Sequence, residues 1–431
     1  PGIKQRECFM SMTSRERVHA ALDHQEPDRI PLDLGATAVT GMQVSSVYLL
    51  RQALGLDTPG TPVKVVEPYQ MLGEIAPDLQ EALGVDVVGI GGPRNMFGFR
   101  NEDWKEWRLF DGTPVLVPGA FNTTPEPNGD ILMYPEGDMS LQPCGRMPKG
   151  GFYFDTIIRQ DPIDDDKLNV EDNLQEFTPI SDEDLDWYRA EVTRLSGTDK
   201  AVLGSFGGTA FGDIALVPGQ WLRHPRGIRD VTEWYMSTLS RRDYVYEVFS
   251  RQCDIALANL EKIHAVVGGL VTAIFTTGTD FGTQHGPFIS RDAYRDLYMP
   301  FHRRVNDWMH KNTPWKSFIH SCGSIRPLIE DFIEAGFDIL NPVQCSACNM
   351  DPQQLKDQYG AALTFWGGGV DTQHTLPFGT PEEVATQVRD RLGIFGHGGG
   401  FVFNTVHNVQ AGIPVDNLRA LYDTVIAARP L

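Results

Sequence analysis

Trp315–Gly323 (WKSFIHSCG), Ile325–Ala335 (IRPLIEDFIEA) and Asp338–Gln344 (DILNPVQ) read in turn as a strand, a helix and a strand. The outer two are short apolar runs that close on polar residues or glycine, the pattern of strands buried on both faces. The middle one repeats its apolar residues at helical spacing. The alternation continues on both sides. Strand candidates precede this unit at Ile30–Gly35, Val85–Ile90, Ala201–Gly208 and Leu270–Gly278, and follow it at Leu363–Gly369 and Phe401–His407. Helical stretches fall between them, one opening at Ser290 and another at Thr380 with Pro381 in the first helical position. Thr13 and Glu16 have capping-box spacing ahead of the helix RERVHAALDH, so ordered chain is expected from Met12 onward. Eight buried strands alternating with helices is the count of an α/β protein of the (β/α)8 TIM-barrel class. A doubly wound sheet uses the same elements, but no glycine-rich dinucleotide or phosphate loop follows the first strand.

The spacing is uneven. Residues 92–200, between the second and third strand candidates, are far more than one helix requires. They hold Trp104, Trp107, a hairpin-like NGDILMYPEG and the acidic run DPIDDDKLNVEDN. Residues 1–431 are therefore expected as one barrel domain, with 92–200 an insertion after the second strand. An insertion there lies at the substrate-binding face and reads as a lid or substrate-shaping subdomain. The acidic run reads as a solvated linker.

Composition narrows the function classes. In 431 residues, 37 Lys and Arg stand against 57 Asp and Glu, a net charge of −20. Such a surface repels phosphate backbones and anionic headgroups, which argues against nucleic acid or a membrane as partner. Six cysteines form no disulfide framework, and neither a signal-peptide core nor a membrane-length apolar run is evident. A soluble, cytoplasmic protein with reduced thiols is expected; the oligomeric state stays open.

Chemistry concentrates at the strand ends. His320 and Cys322, two residues apart at the end of one strand, point to the same side. An imidazole and a thiolate aimed together make a zinc pair, and a buried Cys beside a hydrogen-bonded His is the equal alternative. His407, ending the last strand candidate, supplies a third donor on the same face. Three protein ligands with an open fourth position characterise a catalytic rather than a structural zinc. Cys345 and Cys348 form a Cys-x-x-Cys that could serve a structural zinc or a redox pair, or stand by; Gln344 or Cys345 could also approach the metal. Asp280 and Asp371 are candidate catalytic carboxylates, and Gln284, Trp366 and Gln373 candidate substrate contacts. The loops GATAVTGMQVS, GGTAFGD, TDFGTQHGP, GGGVDTQH and HNVQAG carry no Arg or Lys, which suits a mostly neutral substrate.

The segments MTSRERVHAALDHQEPDRIPLDLG, TDFGTQHGPFIS, FIHSCGSI, LNPVQCSACNMD, FWGGGVDTQHTLPFGTPEEV and HNVQAGIPVDN span nearly the whole chain. Together they resemble the uroporphyrinogen decarboxylase superfamily, in its branch of corrinoid-dependent methyltransferases. The resemblance implies a TIM barrel and a zinc held by His320, Cys322 and a residue near the carboxyl terminus. In thiol-methylating members that late ligand is a cysteine ten residues before an asparagine; here His407 stands ten residues before Asn417, so the ligand type differs. Decarboxylases of the superfamily carry an arginine-rich segment after the first strand, where this chain has DLGATAVTGMQ. The expectation is a zinc methyltransferase acting on a small methoxylated compound, perhaps an aryl methyl ether, with the methyl group passing to the cobalt of a separate corrinoid protein. A porphyrinogen decarboxylase-like enzyme and a non-catalytic ligand-binding barrel are the alternatives.

Overall fold

The computed structural model describes residues 12–428. Its centre is a curled parallel sheet of seven strands, β1 (Val87–Gly91), β2 (Ala201–Ser205), β3 (Ala273–Thr277), β4 (Lys316–His320), β5 (Ile339–Asn341), β6 (Thr364–Trp366) and β7 (Phe401–Val402). Each strand pairs in parallel with its neighbour in chain order, the topology of an open TIM-like half-barrel.

The eighth expected strand, Ile30–Gly35, is the one departure. It is extended chain with a single parallel bridge, Leu32 to Phe403. Pro31 has no N–H to donate, so no regular ladder forms, yet the segment bonds to both sheet edges. Phe403 N donates to Pro31 O at 2.8 Å, Asp33 N to Phe403 O at 2.9 Å, and Asp86 N to Leu32 O at 2.8 Å.

Alternation along the strands sorts the core into two clusters. Ala201, Leu203, Phe318, Ile339, Trp366 and Val402 belong to a cluster inside the curl, while Val202, Ile319, Leu340, Phe365 and Phe401 belong to the cluster that the surrounding helices join. The inner cluster also takes Val18, Ala21 and Leu22 from the helix Ser14–Leu22, which plugs the amino-terminal end. That helix opens with the expected capping box at Thr13.

Between β1 and β2 lie an antiparallel pair, Lys105–Arg108 with Pro114–Val117, a three-stranded antiparallel sheet of Ile131–Met133, Gly145–Met147 and Asp155–Thr156, and the helix Asp182–Leu195. The antiparallel pair extends into a four-stranded sheet with Val63–Glu67 and Leu72–Gly73, which precede β1 in the chain. The acidic run forms short 3-10 turns tied by ion pairs, Asp165 to Arg241 at 2.5 Å and Asp172 to Arg226 at 3.2 Å. Among the described residues, no helix is long and apolar enough to cross a membrane.

Candidate metal centre

His320 is the last residue of β4, two positions beyond the inward Phe318, so the pleat turns its imidazole inward as well. Cys322 keeps that parity just past the strand, and its Sγ lies 3.4 Å from His320 Nε2. Zn–S and Zn–N bonds of about 2.3 and 2.0 Å in a tetrahedron set such atoms roughly 3.5 Å apart, so this pair already has a ligand spacing. His407, from the loop after β7, completes the group, its ring centroid 5.1 Å from that of His320 at 71°. One ligand atom from each of the three lies within 4.8 Å of the others, and no further His, Cys, Asp or Glu group with metal-compatible spacing exists among the described residues. The donor set fits a borderline-soft ion such as zinc, which His320, Cys322 and His407 could hold.

Two glycines bring the neighbouring loops together. A Cβ on Gly323 would sit 2.5 Å from the carbonyl carbon of Gly282, and one on Gly282 would sit 2.5 Å from Cys322 O. This contact lets Asp280 reach the trio. Its Oδ1 accepts from Cys322 N at 2.6 Å and lies 3.8 Å from His320 Nε2. Asp213, from the loop after β2, fits against Gly278, where a Cβ would come within 2.8 Å of its Oδ2.

Burial governs the electrostatics. It lowers the pKa of His320 to about 4, and burial with the neighbouring His320 lowers that of His407 to about 3, so both rings are neutral at neutral pH. Burial, with Asp280 and Asp213 nearby, raises the Cys322 thiol well above its ordinary value. Burial also raises Asp280, and it raises Asp33 and Asp213 to about 7. Among the described residues, no Lys or Arg hydrogen-bonds or ion-pairs with these three carboxylates.

The other expected residues stand outside the metal-compatible group. Gln344 Oε1 accepts from Gly323 N at 2.8 Å, and its Nε2 donates to Gln373 Oε1 at 3.3 Å. Asp371 accepts from Gln373 N at 2.8 Å and pairs with His374 at 3.1 Å, and no hydrogen bond joins it to the trio. Gln284 exposes its side chain and accepts Cys348 N on its carbonyl. Trp366 is buried inside the curl, where its indole N–H donates to Asp33 Oδ2 at 2.9 Å. The Cys345 thiol turns to Val343 O, and Cys348 lies 3.8 Å from His285; neither joins the metal-compatible group.

Sequence reading passed over Asn341, Asp213 and Asp33. Asn341 is the register partner of His320 across β4 and β5, and its Oδ1 faces His320 Nδ1 at 2.5 Å. A polar residue closing an apolar strand beside the one that ends in His320 was the available signal. Asp213 lies in GGTAFGD, a stretch distinctive in sequence chiefly for its lack of cations.

Residues 225–427, a little under half of the chain, match the family described as Uroporphyrinogen decarboxylase (URO-D). Among solved structures, the chain is similar to a methyltransferase from Methanosarcina mazei, with 13% identity and a TM-score of 0.53 over 96% of this chain and 98% of that one. At that identity the likeness concerns the fold. A search of curated proteins found no match.

Proposed function

We propose that this protein is a zinc-dependent methyltransferase that removes a methyl group from a small methoxylated compound and delivers it to the cobalt of a separate corrinoid protein. The observation that carries this reading is the His320–Cys322–His407 group at the carboxyl ends of the strands, with ligand atoms within 4.8 Å of one another. The URO-D match and the methyltransferase-like fold agree with it. The absence of cationic partners around the buried carboxylates among the described residues favours a neutral ether over a polycarboxylate porphyrinogen.

Zinc at this site would act as a Lewis acid on the ether oxygen, which makes a poor leaving group departable. The chain's own residues do the rest. Asp280, whose Oδ1 lies 3.8 Å from His320 Nε2, orients the departing oxygen or protonates it. Gln284 and Gln373 supply polar contacts to the substrate, Trp366 an apolar floor, and Asp371 holds the Gln373 loop. The sheets within 92–200 shape the opening and limit water.

The test is zinc per chain by elemental analysis, without chelators or a polyhistidine tag, followed by methyl transfer from methoxylated donors to reduced corrinoid protein. About one zinc per chain, lost in His320→Ala and Cys322→Ala together with turnover, is the expected outcome. Turnover retained in either folded variant would overturn the mechanism.

A further inference from the structure

The two imidazoles of the trio are held by partners of opposite kind. Asn341 Nδ2 donates to the carbonyl oxygen of Trp366 at 2.6 Å. A carbonyl only accepts, so the amide orientation is set and Oδ1 must be the atom facing His320 Nδ1, at 2.5 Å. An amide oxygen also only accepts. His320 therefore carries its proton on Nδ1 and turns the Nε2 lone pair to Cys322, whose thiol donates to it with Sγ at 3.4 Å.

His407 is the reverse. Its backbone is left-handed, with φ +66°, and its Nδ1 receives the backbone N–H of Asn408 at 2.8 Å. That N–H can only donate, so Nδ1 is the bare nitrogen and the neutral ring carries its proton on Nε2. To give an ion a lone pair from either nitrogen, His407 must lose the Asn408 bond: it yields Nδ1 to the ion or moves its proton there. His320 gives up only the Cys322 thiol bond, whose proton Cys322 must itself shed to bind an ion.

We infer that Asn341 is the positioning residue that prepares the site, and that an ion is held first by His320 and Cys322, with His407 joining only once its ring leaves the Asn408 amide. This rests on the metal reading above and adds to it an order of assembly. Asn341 acts through His320, as outer partners of metal-bound histidines do when they fix tautomer and ring direction. The register that pairs His320 with Asn341 makes the preparation part of the sheet.

Two readouts test it, one of them independent of metal. Long-range 1H–15N spectra of metal-free protein labelled with 15N-histidine, assigned with single-histidine variants, should show His320 protonated on Nδ1 and His407 on Nε2. The same tautomer at both would overturn the inference. Co2+ is then titrated into the wild type and into Asn341→Leu, Asn341→Asp, His407→Ala and His320→Ala, each checked for folding by circular dichroism. The thiolate-to-Co2+ absorption band and chelator competition are followed. Asn341→Leu should bind about 10- to 100-fold more weakly, whereas Asn341→Asp, which keeps an acceptor for Nδ1–H, should stay within about threefold of the wild type. His407→Ala should keep the thiolate band and lose less affinity than His320→Ala. A folded Asn341→Asp that loses affinity, or a His407→Ala as impaired as His320→Ala, would overturn the inference. A wild-type band left unchanged in Asn341→Leu would overturn this inference alone. No band in the wild type would overturn the metal reading and the order of assembly together, while the spectra of the metal-free protein still judge the two tautomers.

Discussion

At the amino-terminal end of the parallel sheet, buried Asp86 receives Arg17 Nη1 at 2.7 Å, Arg29 Nη1 at 2.7 Å and Leu32 N at 2.9 Å, while Arg17 also binds Asp28 at 2.6 Å. At the carboxyl-terminal end, the carboxylates of Asp33, Asp213 and Asp280 take backbone and indole N–H donors and, among the described residues, no guanidinium or ammonium group. Both ends bury acids, and only one neutralises them. Where guanidinium groups occupy the carboxylates, no lone pair remains for a ligand, and the network serves to lock the plug helix onto the sheet. Where they are missing, burial raises the carboxyl pKa values, and Asp280 lies 3.8 Å from His320 Nε2 beside the His320–Cys322–His407 group. Stability at one end and chemistry at the other is the general division of such parallel barrels.

The division can be broken from the bottom first. Asp86→Ala strands Arg17 and Arg29 without their shared carboxylate, and unfolding free energy should fall by about 3–5 kcal/mol. Urea denaturation measures this. The fraction that remains folded should match the zinc content measured for the wild type, and a lower content in folded protein would show the two ends to be coupled.

A smaller effect belongs to the upper end and depends on pH. Asp33 has its pKa raised to about 7 in the folded chain, so between the unfolded carboxyl value and 7 the folded state binds more protons than the unfolded one. Its contribution to stability is therefore fully present in acid and fades as pH rises through 7. From pH 5 to pH 8 that loss amounts to about 2–3 kcal/mol, and it should vanish in Asp33→Asn. His320 and His407 work in the opposite sense. Their lowered values mean that stability is lost as pH falls from about 6.5 toward the folded values of about 4 and about 3. Denaturation of Asp33→Asn against wild type at the two pH values isolates the carboxyl; equal slopes would show that Asp33 ionises freely in the fold.

The smallest effect returns to the plug. Thr13→Ala removes the side-chain acceptor for Glu16 N at the head of the helix Ser14–Leu22 and should cost about 1 kcal/mol at every pH at which Glu16 stays ionised. A cost that changed with pH within that range would tie the plug to the titrating end and blur the division.

Much of this was legible in sequence because it is local. Short apolar runs closing on glycine or polar residues identified seven of the strands, and the parity from Phe318 through His320 to Cys322 put two donors on one side. Thr13 and Glu16 announced the plug helix from a spacing of three. Pro31 was equally visible, and it is what reduces the expected first strand to a single bridge. The four-stranded sheet was not legible, because Val63–Glu67 finds its partner in Pro114–Val117 across β1, and nothing in either segment names the other.

The sequence by itself determined the alternation of strands and helices, the inward parity of His320 and Cys322, the His407 donor and the scarcity of cations at the strand ends. Only the tertiary structure decided that Asn341, 21 residues beyond His320, would hold its Nδ1. It also decided that Asp213 would fit beneath Gly278, and that Asn408 would bind His407 in the opposite sense. The reason is physical. Periodicity and capping act through neighbours a few residues apart, whereas a tautomer, a buried pKa and a ligand spacing depend on which strand ends and loops the closed register brings together.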